Sequence, residues 1–177
     1  FTPVLPNTDD AVTVPAGYRS DVVIRWGDRV TRKAPRFDVD NQTPAAARHQ
    51  FGYNNDYTEI QEVPGTNGRR AVMFVNHEYT NENIMLPADT DAEEAIEIGR
   101  AAHGLTVVEL ERKNKNFPYR YVQGAELNRR ILLDDEFALT GPAQSAFSGT
   151  YAVDTATGAA RVIAALTTLL VLGVASG

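Results

Sequence analysis

The feature that most constrains the fold is a pair of runs joined by a dense turn. Residues 51–63 read FGYNNDYTEIQEV, with apolar or aromatic side chains alternating with polar ones. Pro64, Gly65, Thr66, Asn67 and Gly68 follow, a cluster that punctuates the chain strongly. Residues 70–78 then read RAVMFVNHE, a mostly apolar run. Alternation with a period of two marks a half-buried strand. Two such runs around a Gly-rich turn predict an antiparallel hairpin.

The design recurs along the chain. Residues 104–112 (GLTVVELER) and 117–124 (FPYRYVQG) predict a second hairpin around a basic tip. Residues 149–166 predict a third, turning at Asp154–Gly158, and DVVIRW at 21–26 reads as a strand stopped by Gly27 and Asp28. Residues 31–50, broken by Pro35 and Pro44, read as a long loop. One short helix is predicted near 91–102. Thr90 is its cap, Glu93 follows three residues later, and Ala92, Ala95, Ile96 and Ile98 form its apolar face.

This pattern predicts a mainly β, β-propeller-like architecture. Residues 1–17, with Pro3, Pro6, Pro15 and Gly17, form an extended arm, and 18–177 form part of a single propeller domain. Propeller blades take about 40–50 residues each, so 177 residues make about four blades' worth. A larger propeller needs more chain, so the expectation here is an incomplete one.

The net charge of −6 and a pI near 5.1 argue against a nucleic-acid partner. The densest basic cluster, Arg112, Lys113, Asn114 and Lys115, falls at a predicted hairpin tip. The absence of cysteine excludes disulfides and thiolate metal sites. The apolar stretch 162–175 is interrupted by Thr167 and Thr168. It is shorter than the roughly 20 residues of a spanning helix, so a buried strand is expected there rather than a membrane anchor.

The chemistry concentrates in Asn76, His77 and Glu78. Successive strand side chains face opposite ways. Val72, Phe74, Asn76 and Glu78 therefore share one face, and Met73, Val75 and His77 the other. A carboxylate and an amide oxygen side by side suit a hard cation such as calcium. The plainer alternative has Asn76 capping a turn, Glu78 in solvent and His77 in the core. In YNNDY (53–57), Asn54 and Asp56 share a face and could add oxygen ligands, or could form an ordinary Asx turn. His49 and His103 read as loop and helix-end residues.

Several strings, taken in order, resemble the N-terminal part of the PhoX-type alkaline phosphatases over about residues 15–143. They are GYRSDVVIRWGDRV, FGYNNDYTEI, VMFVNHEYTNENIM, HGLTVVELER and NRRILLDDEFALTGPA. The resemblance implies a β-propeller that hydrolyses phosphomonoesters, is exported to the periplasm or beyond, and carries calcium and iron in its central channel. It implies that Glu78 is a metal ligand, with Asn76 a second candidate, and that His77, Asn54 and Asp56 shape the channel. The string RVIAALTTLLVLGVASG stands where the family carries an asparagine pair and an iron-bridging cysteine, and places Thr167, Thr168 and Leu169 there. Two functions are therefore expected in parallel. One is an N-terminal portion of a metal-dependent phosphatase. The other is a non-catalytic exported β protein that binds or assembles, retains at most a calcium site, and pairs its sheet edges with a second chain.

Overall fold

The hairpin forms where the turn residues put it. In the computed structural model, which describes residues 1–135, β1 (Thr58–Glu62) and β2 (Arg70–His77) pair antiparallel. Asn67 and Gly68 both take left-handed backbone in the turn between them, with φ of 52° and 69°. β3 (Gly104–Glu111) pairs with β2 along its whole length, from Arg70 opposite Glu111 to His77 opposite Gly104. The other edge of β3 is shared by β4 (Arg120–Tyr121) at one end and β5 (Arg129–Ile131) at the other. The described residues thus form one open, five-stranded antiparallel sheet.

The core lies on one face. Ala71, Met73 and Val75 of β2 and Val108 and Leu110 of β3 pack with Val30 and Phe51 from the preceding loops. Opposed residues of paired antiparallel strands share a face, which makes this set contiguous. Each large side chain so buried contributes roughly 1.5–3 kcal/mol. β1 is the exposed edge, and its glutamates Glu59 and Glu62 oppose unwanted strand pairing there.

Three short helices accompany the sheet: α1 (Pro44–Ala47), α2 (Glu82–Met85) and α3 (Ala92–Ala102). Arg130 of β5 ties two of them down. Its buried guanidinium donates to the carbonyls of Ala47 (3.0 Å), Ala101 (3.2 Å), Ala102 (3.1 Å) and His103 (2.7 Å), and also to Gln50. These are carbonyls at the ends of α1 and α3, where intrahelical donors run out. Burial and the neighbouring Arg48 charge push its pKa down to about 9, which leaves the group charged at neutral pH.

Several expectations are corrected. The mainly β character holds, and the described residues form one open sheet. DVVIRW at 21–26 forms no strand with the described residues: among them Val23 and Ile24 pack on the core without a ladder partner, and the one bridge nearby joins Arg29 to Gln50. Of 51–63 only Thr58–Glu62 pairs, because Asn54 at φ 52° breaks the alternation. The loop at 31–50 contains α1, which Thr43 caps by accepting from the Ala46 N–H. The helix at 91–102 is present, but Asp91 caps it, accepting from the Glu93 and Glu94 amides. The Thr90 hydroxyl instead donates to the Pro87 carbonyl. The second hairpin closes over only two residues of β4, and β5 was not anticipated. The predicted hairpin at 149–166 and the apolar stretch at 162–175 lie outside the described residues.

Candidate functional site

The strand end divides as the face argument requires. On the core face, His77 is fully buried and packs edge-on to Phe51 at 4.8 Å. Its partner in the ladder is Gly104. Nε2 accepts from the Gly52 N–H at 3.3 Å and lies 2.6 Å from the Thr106 hydroxyl. A backbone N–H can only donate, which assigns the ring proton to Nδ1. Burial, reinforced by the Arg130 charge, holds the His77 pKa well below its ordinary value, so the ring is neutral.

On the other face, Asn76 is buried although it is polar. Its side-chain oxygen accepts from the Tyr57 N–H at 2.9 Å and the Asp56 N–H at 3.3 Å. Its amide nitrogen donates to the Asp56 carboxylate. Glu78 follows, half-buried, and its backbone N–H donates to the Asn54 carbonyl at 3.1 Å. The Asp56 and Glu78 carboxylates are near enough to influence each other's ionisation.

Two neighbouring carboxylates titrate as a coupled pair. The Asn76 amide holds Asp56 below the usual carboxylate range, and Asp56 in turn pushes Glu78 up. Such a pair supplies hard oxygen donors and gains from a cation placed between them, which fits calcium and also suits iron. No cluster of three or more His, Asp or Glu with metal-binding geometry exists among the described residues, so Asp56 and Glu78 would be a partial ligand set.

The structure therefore brings together Asn54, Asp56, Asn76 and Glu78, with His77 directly behind them on the core face. Sequence reasoning missed Gly52, Thr106 and Arg130. Thr106 left a faint signal as the one polar residue in the otherwise apolar run 104–108. Gly52 and Arg130 left none, because their partners are distant in sequence or are backbone carbonyls.

Fold and site together define an antiparallel β protein in which Glu78, just past the second strand, neighbours Asp56 of the segment before the first. Residues 1–165 match the family described as alkaline phosphatase PhoX. The chain belongs to that family. Among solved structures it is similar to PhoX of Pseudomonas fluorescens in complex with vanadate, a transition-state analogue. Identity is 39% and the TM-score 0.62, and the match covers 68% of this chain and 21% of that one. The chain thus spans about a fifth of that relative's length. No curated protein matches it.

Proposed function

We propose that this chain supplies part of the cation site of a phosphomonoester hydrolase of PhoX type. The observation that carries this is the Asp56–Glu78 carboxylate pair at the end of β2 in a member of this family. In this reading Glu78 and Asp56 hold calcium, iron or both. Asn76 orients Asp56, since its side-chain oxygen is already occupied by two backbone amides. The antiparallel run β1–β2–β3–β4 has the strand order of a propeller blade, which supports a propeller in the complete fold. When bound, the cations would stabilise charge on phosphoryl oxygens and activate an oxygen nucleophile. The chain's own residues fix where the carboxylates sit, and Asp56 makes Glu78 the more readily protonated of the two. Family membership supports export to the periplasm or beyond. Among the described residues no helix is long and apolar enough to cross a membrane.

A second reading is a non-catalytic β protein that binds or assembles and retains at most calcium. The open sheet favours it: the β1 edge is exposed, and its Glu59 and Glu62 would admit only a strand that complements their charge. The test is metal content by elemental mass spectrometry, together with hydrolysis of p-nitrophenyl phosphate, for wild type and Glu78→Gln. Calcium with iron and turnover, both lost in the variant, supports the phosphatase reading. Calcium without iron or turnover supports the second. Neither metal, even after reconstitution, overturns both.

A further inference from the structure

We propose that His77 is a positioning residue for the carboxylate pair: from the core face it anchors the segment that delivers Asp56 to Glu78. The inference rests on the cation-site reading and adds a residue that faces away from the cation.

Three consecutive residues of β2 and its end each hold one point of the same segment. The His77 ring takes the Gly52 N–H, the Glu78 N–H takes the Asn54 carbonyl, and the Asn76 side chain takes the amides of Asp56 and Tyr57. These anchors lie on the core face, at the strand end and on the outer face, in that order. The segment therefore wraps round the end of β2, turning at Asn54, whose left-handed φ of 52° permits the reversal.

The core-face anchor has little freedom. A Cβ on Gly52 would lie 2.4 Å from His77 Cγ and 2.3 Å from the Ala102 carbonyl, so only glycine brings its amide to the ring. Thr106 of β3 meets the same nitrogen at 2.6 Å and fixes the ring's rotation. An apolar side chain of equal volume would fill this space without holding the segment. The acceptor nitrogen distinguishes a positioning role from a packing role.

The test uses His77→Gln, whose side-chain oxygen can reach the Nε2 position, His77→Leu, which fills volume only, and Thr106→Val, which frees the ring. Two readouts are taken: calcium affinity by calorimetry, and amide exchange at Gly52 by NMR with the Val75 and Val108 amides as internal reference. His77→Leu is expected to weaken calcium binding about tenfold, the usual cost of losing an outer partner of a ligand set. Gly52 exchange should accelerate about tenfold or more while the reference amides hold, as in local opening. His77→Gln should restore both to within about threefold of wild type. A folded His77→Leu protein with unchanged Gly52 exchange and unchanged affinity overturns the proposal. If His77→Leu does not fold, Thr106→Val decides: faster Gly52 exchange supports positioning, and unchanged exchange overturns it. Wild type without calcium affinity sinks the cation-site reading alone, because Gly52 exchange still reports whether His77 holds the segment.

Discussion

Two sides of one strand end carry opposite demands. On the core face of β2, His77 is buried, neutral and enclosed by Phe51, Gly52 and Thr106. On the outer face, one residue further on, Glu78 meets a second carboxylate in partial contact with water. Neighbours in sequence thus sit in very different dielectric surroundings, since a strand sends successive side chains to opposite faces. In the proposed reading Asn-His-Glu is not three ligands in a row: Glu78 bears charge, Asn76 orients the Asp56 carboxylate, and His77 fastens the segment from behind.

The largest expected effect lies on the enclosed side. Arg130→Met removes the donor to five backbone carbonyls, of which those of Gln50, Ala101 and Ala102 are bonded in buried surroundings. Unfolding free energy should fall by about 3 kcal/mol or more, since each stranded buried acceptor costs about 1–3 kcal/mol. Urea denaturation measures this, and a loss below about 1 kcal/mol would break the contrast between the faces. Gly52→Ala comes next. Its Cβ has no space, so a loss of about 1–3 kcal/mol is expected in a thermal melt.

The open side should give small effects of opposite sign. Asp56 is held below its ordinary pKa, so its stabilisation is present above that value and disappears as pH falls through the lowered one. Asp56→Asn should therefore lower the Tm slightly at pH 7. Glu78 is raised, so its favourable contribution exists below the ordinary pKa and is lost as pH rises through the elevated one. In calcium-free buffer Glu78→Gln should raise the Tm slightly at pH 7, and the gain should vanish once acid has protonated Glu78. Two variants shifting in the same direction would show that the carboxylates do not interact.

Local signals were legible in the sequence and long-range ones were not. The turn at Pro64–Gly68 and the alternation before it specified the β1–β2 hairpin, and the acidic first turn located α3 to within a residue. DVVIRW has strand composition, yet among the described residues no edge pairs with it, and composition cannot report that. Glu78 and Asp56 were candidates because oxygen donors sharing a strand face suit a hard cation, although a turn cap, an Asx turn or a solvated strand end leaves the same pattern. Arg130 did not, because its partners are backbone carbonyls that every residue has. Gly52 became meaningful only when His77, 25 positions away, was seen against it.

The most direct test of the split strand end is a calorimetric titration of calcium into wild type and Glu78→Gln at pH 7. The account predicts one calcium site in the wild type and at least a tenfold weaker one in the variant, the scale expected for loss of a charged ligand in direct contact. Equal affinity in the two proteins would contradict it, and would leave Glu78 a solvated residue at the end of a well-made strand.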